Sequence, residues 1–268
     1  MRGFAMENKD ETHHERIVRE EFTRQSGAMQ ESKIFTDTEI IGRIAVMVLM
    51  NGGRIKVLDL GCGPGILTTA LAPKVDEVVA FDLAPEMIAK AKKRSDELGL
   101  SNIRFKVGRA EEMPFPNGYF DVVVTRLTLH HFLSPNKAVE EVMRVLKTGG
   151  IFVVADIITS EKEIDARLHN ALETLRDPSH VRALSQPELK GLLESAKMKI
   201  VAKDTWVNER EFGEWIRITN APEREKPLMV VMMALAEAGV TAGINLRVDG
   251  DKVKFDHRWL LVTAKKLG

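Results

Sequence analysis

Leu58-Asp59-Leu60-Gly61-Cys62-Gly63-Pro64-Gly65 is the stretch on which the fold turns. The apolar run Lys56-Val57-Leu58-Asp59-Leu60 predicts a buried strand that ends in a glycine-rich turn, and Ile66 to Ala72 reads as the helix that follows. A strand that feeds bare glycine backbone into a helix lets a ligand come close to main-chain N–H groups. About 20 residues further on, Asp82 closes a second predicted strand, Glu77 to Asp82. A carboxylate there can accept both hydrogen bonds of a ribose diol. Turn and carboxylate together point to an adenine nucleoside at the carboxyl ends of parallel strands. A nicotinamide dinucleotide is the rival ligand, but its fingerprint wants Gly or Ala at the sixth position of the turn, beside the pyrophosphate. That position is Ile66, and Pro64 stiffens the turn.

Working outward, strands and helices alternate. A helix is expected from Ala84 to Gly99, a third strand from Asn102 to Val107 and a fourth from Tyr119 to Arg126. Pro135 to Leu146 reads as a helix closed by Gly149-Gly150, and Ile151 to Asp156 as a fifth strand. This rhythm means βαβ units and a parallel sheet. Upstream, a helix is expected within 11–35 (Ile17, Val18, Phe22), then a loop at Gln25-Ser26-Gly27. A second helix is capped by Thr36 or Asp37 and ended by Asn51-Gly52-Gly53. Downstream the rhythm breaks. Glu161 to Arg176 looks helical, and Asp177-Pro178-Ser179-His180 is a loop. Ser185-Gln186-Pro187-Glu188 is a capping box for a helix reaching Ala196. Lys199 to Val207 reads as a strand, 209–240 as Met-rich helix, and Trp259 to Ala264 as the last strand. The expected organisation is a helical cap over 1–50 and a nucleoside-binding core over 51–160. Helical insertions with a sixth strand follow over 161–250, and 251–268 completes the sheet.

Lys+Arg and Asp+Glu balance at 39 each, so no global field would draw in nucleic acid or an anionic membrane. One cysteine, Cys62, excludes an intrachain disulfide framework and fits a reducing cytoplasm. No apolar run approaches the ~20 residues of a membrane span. Met1 to Asp10 lacks the apolar core of a secretory signal and, with Met6 as a second start, reads as a loose leader.

Four segments carry a resemblance: Phe81-Asp82-Leu83-Ala84-Pro85-Glu86-Met87, Gly108-Arg109-Ala110-Glu111-Glu112-Met113-Pro114-Phe115, Tyr119-Phe120-Asp121-Val122-Val123 and Arg144-Val145-Leu146-Lys147-Thr148-Gly149-Gly150. In order and spacing, over roughly residues 55–157, the chain resembles the class I S-adenosylmethionine-dependent methyltransferases of the ubiquinone/menaquinone (UbiE-like) type. Leu175 to Arg182, Phe212-Gly213-Glu214-Trp215 and Trp259-Leu260-Leu261-Val262 resemble an uncharacterised bacterial subgroup of it. The resemblance implies a Rossmann-like α/β fold: a seven-stranded, mostly parallel sheet with the last strand antiparallel and helices on both faces. It implies S-adenosyl-L-methionine as cofactor and S-adenosyl-L-homocysteine as product. Asp59 would act on the ammonium, and the backbone of Gly61, Cys62, Gly63 and Gly65 would hold the methionine part. Asp82 would take the ribose and Leu83 would pack on the adenine. Ala110 and Glu111 would sit at its edge, and Arg126 would border the cofactor. Where many relatives carry an Asp, this chain has Arg109, which cannot accept from the adenine amino group, leaving backbone or Glu111 to do so.

Methyl transfer from a sulfonium needs alignment and a dry site, and a base only where the acceptor must lose a proton. The candidates are His180, in a loop suited to a lid, with Asp177 or Arg182 to tune it, and His131 and His130 after the fourth strand. The bland reading makes the His130-His131 pair packing and capping, and His180 part of a loop in which Asp177 caps a turn. Met229, Met232 and Met233 line either a pocket or plain core, with core favoured, as for Phe212 and Trp215. No metal-ligand cluster is apparent. The Asp/Asn-Pro-Pro-aromatic run of base methylators is replaced by Thr125-Arg126-Leu127-Thr128. The expected partner is a small-molecule acceptor, with no nucleic acid, no stable membrane insertion and a possible homodimer. The alternatives are an adenosyl-ligand-binding regulator without transfer, or a nicotinamide oxidoreductase.

Overall fold

The structure is a computed structural model and describes residues 12–50, 52 and 54–268; the expected leader, and Asn51 and Gly53 of the expected helix stop, lie outside these. β1 (Lys56–Leu60) is covered on both faces, which is why it reads as a continuous apolar run rather than an alternating one. It pairs in parallel with β2 (Glu77–Asp82) on one side and β4 (Phe120–Arg126) on the other. β3 (Ile103–Val107) extends the sheet from β2, and β5 (Leu146–Ile158) extends it from β4, both parallel. The last strand, β8 (Lys252–Lys266), runs antiparallel between β5 and β6 (Met198–Glu211). The order is β3-β2-β1-β4-β5-β8-β6. Since β2 and β4 flank β1, the chain reverses direction across the sheet there, opening a crevice at the carboxyl ends of the strands.

Alternate residues build two cores. Leu58, Leu60, Val79, Phe81, Val123 and Phe152 join Val139 and Val142 of α7 (Pro135–Val145) and Leu189 of α9 (Gln186–Ser195). Val57, Val78, Val122 and Val153 face Ile44 and Val48 of α4 (Thr38–Leu49) and Leu67 and Leu71 of α5 (Ile66–Leu71). α6 (Pro85–Glu97) follows β2. Upstream, α1 (His13–Gln25) is started by a capping box between Thr12 and Glu15, and α2 (Ala28–Glu31) and α3 (Lys33–Thr36) are single turns.

The later part departs most from the expectation. β6 and β8 are longer than Lys199–Val207 and Trp259–Ala264. Pairing of β5 with β8 stops at Ile158 opposite Arg258, whereas β6 and β8 run on to Glu211 opposite Lys254. In this overhang buried Val253, Phe255 and His257 alternate with charged Lys252, Lys254, Asp256 and Arg258, so no apolar run betrays it. A short β7 (Arg247–Asp249) pairs with β8 across a turn containing Gly250. The expected helix over 209–240 is strand to Glu211, then α10 (Phe212–Arg217) and α11 (Pro222–Glu237), interrupted where Asn220 takes φ +49° before Pro222. Gly149 and Gly150 lie inside β5 rather than ending a helix; the register shift between Phe120 and Val122 absorbs the extra length. With α8 (Glu163–Arg176), the overhang encloses a third core of Leu172, Phe212, Trp215, Leu228, Met232 and Phe255. Met232 is fully buried there and Met229 packs against it, while Met233 is 38% exposed.

Candidate active site

The glycine turn is tied to the neighbouring strand: the N–H groups of Gly61 and Cys62 donate to the Phe81 carbonyl at 2.8 and 3.1 Å. Gly61 has φ +72°, and a Cβ there would lie 2.2 Å from the Thr128 side chain. Gly65 packs so closely on α6 that its Cβ would meet Ala91 at 2.8 Å. Asp82 is locked by backbone alone: Gly63 N–H donates to Oδ2 at 2.8 Å and Ala84 N–H to Oδ1 at 2.9 Å. Each oxygen keeps a second acceptor site, the number a ribose diol needs. Asp59 accepts from Thr68 Oγ1 at 2.5 Å through Oδ2. Burial raises both carboxyls, Asp82 to about 6 and Asp59 to about 7.

These groups border a cavity of about 300 Å³. Asp59, Gly61, Cys62, Gly63, Asp82, Leu83, Ala110, Glu111 and Arg126 all line it; Gly65 does not, and shapes the turn from behind. The space beside Gly63 is open to at least 4 Å. The residues therefore fit an adenosyl ligand: a carboxylate with two open acceptor sites, bare backbone, and a second carboxylate on the cavity wall to meet an ammonium. The cavity is roofed by Glu15, Val18 and Phe22 of α1 and by Phe35 of α3. Two arginines hold that roof. Arg109 pairs with Glu15 at 2.8 Å. Arg126 donates to the Ile34 carbonyl and, at 2.8 Å, to that of Phe35, and burial lowers its pKa to about 10.

The three histidines take different places. His130 Nδ1 meets Asp156 Oδ1 at 2.6 Å, and Asp156 also accepts from the N–H groups of Leu129 and Ile157. Burial opposes the charged ring, but the Asp156 carboxylate prevails and raises its pKa. His131 donates from Nδ1 to the Ser179 carbonyl at 2.8 Å; a carbonyl can only accept, so the proton sits on Nδ1 and Nε2 keeps its lone pair. Burial lowers this ring to about 4. His180 lines neither the main cavity nor the smaller one beside it, contrary to the lid position expected of it. It donates from Nε2 to Asn170 Oδ1 at 2.7 Å, and burial takes it down to about 2. Asp177 caps the loop, accepting at Oδ1 from the N–H and hydroxyl of Ser179, while Gln25 of α1 donates to its Oδ2.

A second cavity of about 40 Å³ adjoins the first and shares Phe22, Met29, Phe35, Leu127 and His131 with it. Its further lining includes Gln25, His130, Arg176, Arg210, Trp215 and His257. Sequence reasoning missed Asp156, Asn170, Arg176 and His257, because nothing local links α8 to the outer half of β8. It also found no metal-ligand cluster, and here the structure corrects it. Donor atoms of His169, Glu173 and His257, all buried, lie within 4.8 Å of one another.

An antiparallel last strand slipped between β5 and β6 separates this sheet from all-parallel dinucleotide-binding ones. With the glycine turn and Asp82 in place, the class is that of the class I S-adenosylmethionine-dependent methyltransferases. The chain belongs to the family described as methyltransferase domain, which matches residues 52–214. It is 32% identical over 247 residues to the uncharacterized methyltransferase YcgJ of Bacillus subtilis, covering 91% of this chain and 97% of the relative. The crystal structure of YcgJ superposes with a TM-score of 0.77 at 30% identity, over 84% of this chain and 98% of that one. The demethylmenaquinone methyltransferase of Thermus thermophilus is 36% identical over 116 residues, 42% of this chain and 52% of its own. Among the described residues no helix is long and apolar enough to cross a membrane.

Proposed function

We propose that this methyltransferase acts on a small, largely apolar acceptor seated where the two cavities meet, its reacting O–H or N–H aimed at His131 Nε2. One observation carries the reading: His131, alone of the three candidate histidines, lines both cavities, and its Nδ1–H is already committed to Ser179. With a pKa near 4 the ring is neutral at pH 7, a hydrogen-bond acceptor that orients the acceptor's proton rather than a strong base. Phe22, Met29, Phe35, Leu127 and Trp215 supply apolar walls, and the small second cavity suits a group of few atoms.

The cofactor, when bound, supplies a methyl group on a positively charged sulfur. Asp59 holds the ammonium, Asp82 both ribose hydroxyls, Leu83 the adenine face, and Ala110 and Glu111 its edge. Arg126 fixes the roof rather than touching the chemistry. His131 Nε2 would accept the hydrogen bond of the acceptor's O–H or N–H and so turn its lone pair toward the methyl group that the cofactor would supply, with the proton passing finally to solvent. α1 to α3, with α8 and α10, exclude water. His130 and His180 support His131 and the loop beyond it. The buried Cys62 thiol, with no cysteine to pair with, favours a cytosolic setting.

The test is transfer of labelled methyl to a panel of phenols, amines, thiols and carbon acids. Small apolar O–H or N–H compounds should be methylated. His131→Phe should lose about 10²–10³-fold in kcat while S-adenosylhomocysteine binds unchanged. Methylation confined to nucleic acid or protein, or a His131→Phe enzyme as fast as the parent, would refute the reading.

A further inference from the structure

We propose that His169, Glu173 and His257 bind one divalent cation of the zinc type. His169 and Glu173 stand one turn apart on the same face of α8, and the β8 overhang brings His257 against them. His257 Nε2 lies 2.9 Å and His169 Nε2 3.7 Å from the same oxygen, Glu173 Oε1. All three residues are at most 3% exposed.

His169 is what a hydrogen-bonded network alone leaves unexplained. Its ring is buried, and among the described residues neither nitrogen has a hydrogen-bond partner, the nearest approach being the 3.7 Å ion pair of Nε2 with Glu173. An imidazole stripped of water and given no partner is costly, and a metal bond at Nε2 removes that cost. The donor set chooses the metal. Two imidazole nitrogens and one carboxylate oxygen suit a borderline cation such as Zn²⁺, whereas Ca²⁺ and Mg²⁺ need more oxygens. Bonds of about 2.0–2.2 Å place tetrahedral donors about 3.3 Å apart. Within the triad a spread of up to 4.8 Å has to close toward that figure, while the 2.9 Å His257–Glu173 pair opens slightly.

The surrounding charges set the strength. Arg176 Nε holds the other carboxylate oxygen, Glu173 Oε2, at 3.1 Å, leaving Oε1 for the metal. Arg210 reaches His257 Nδ1 at 3.4 Å and is itself paired with Glu214 at 2.8 Å. For the cation to bind, the proton His257 now shares with Glu173 moves to Nδ1 or leaves, and Arg210 turns wholly to Glu214. Two flanking guanidiniums oppose a dication, so the affinity falls below that of closed zinc-finger sites. His257 and Arg176 also line the second cavity, from which a cation enters and a fourth ligand, water or an acceptor oxygen, completes the coordination.

The full-length chain, stripped with a chelator and dialysed, is titrated with Co²⁺ and then Zn²⁺. One equivalent of Co²⁺ should give the visible absorption of a four-coordinate nitrogen/oxygen site, Zn²⁺ should displace it, and saturating Zn²⁺ should raise Tm by roughly 5–10 °C. His169→Asn, which removes a group with no hydrogen bond to lose, should weaken binding at least tenfold, as should Glu173→Gln. Changing two histidines outside the triad, exposed His13→Gln with half-buried His14→Gln, should leave it intact. No saturable binding to the folded chain, or equal affinity in folded His169→Asn, overturns the proposal. So does loss of binding only in the His13/His14 variant. Parallel titration with S-adenosylhomocysteine keeps this outcome separate from that of the methyl-transfer reading.

Discussion

Asp82 and Glu173 are both carboxylates held away from water, yet they are held in opposite ways. Among the described residues Asp82 is gripped only by backbone N–H groups of its own turn and of the turn after β1. Burial therefore dominates and lifts its pKa to about 6. Glu173 is met by three side chains from two elements: Arg176 and His169 on its own helix and His257 from β8. Burial works against its charge, but Arg176 and the histidines prevail and keep it well below the ordinary range. One region is wired by local main chain and waits for a ligand to neutralise it. The other is wired by distant side chains that mostly neutralise one another.

The largest effect that should divide the two regions comes from Phe255, fully buried and 5.0 Å from the Trp215 ring in the third core. Phe255→Ala should cost about 3–5 kcal/mol in urea unfolding, while the protein that remains folded binds S-adenosylhomocysteine within a few-fold of normal. An equal collapse of cofactor affinity would mean that the regions are one unit. Next is Gly61→Ala. Positive φ and the collision with Thr128 should together cost about 2–4 kcal/mol, and titration calorimetry should find cofactor affinity reduced along with stability.

Acid should act on the cofactor end in a way that follows from the signs. In the free protein Asp59 and Asp82 have pKa values raised to about 7 and about 6, and the contacts proposed for them with the cofactor require both ionised. Affinity is then complete above pH 8 and is lost as pH falls through 7 and then 6. Between pH 8 and about 5.5 the loss should be on the order of 100-fold, with protons taken up on release. Asp82→Asn should flatten the lower part of that curve; a pH-independent Kd would show that neither carboxylate meets the ligand. The smallest effect expected is that of Glu15→Gln, which cuts the partly exposed pair with Arg109. Such a pair contributes less than about 1 kcal/mol, so cofactor should leave only a few-fold faster in stopped-flow displacement.

The same contrast explains what could be read from the chain alone. β1, its glycine turn and Asp82 lie within one βαβ unit, so their meaning is carried by residues at most a few tens of positions apart. The residues singled out there line the main cavity, with Gly65 the exception because its neighbour is Ala91 and not the cavity. His180 was misjudged for a physical reason: a loop rich in Pro, Ser and Asp looks exposed, but Asp177 folds it inward and Asn170 engages its ring. The Glu173–His257 contact spans 84 positions and depends on how far β8 overhangs β5. Charged residues alternating with Phe255 and His257 hide that overhang from any search for apolar runs. Arg109 shows the middle case. Its inability to accept a hydrogen bond was plain, but its use as a tie to α1 required the fold.

Arg126 has a bearing on how this enzyme can be taken apart. Its guanidinium, buried at the tip of β4, donates from both terminal nitrogens to two carbonyls of the short helix that precedes α4. A chain trimmed to begin at that fourth helix would leave this cation without those acceptors beside Asp59, the carboxylate proposed to meet the cofactor's ammonium. Such a fragment would retain every residue of the nucleoside motif and still lack the roof over its cavity. The leading segment is thus a counter-electrode for the catalytic sheet, and recombining this core with the front end of another family member requires carrying the partner of Arg126 along.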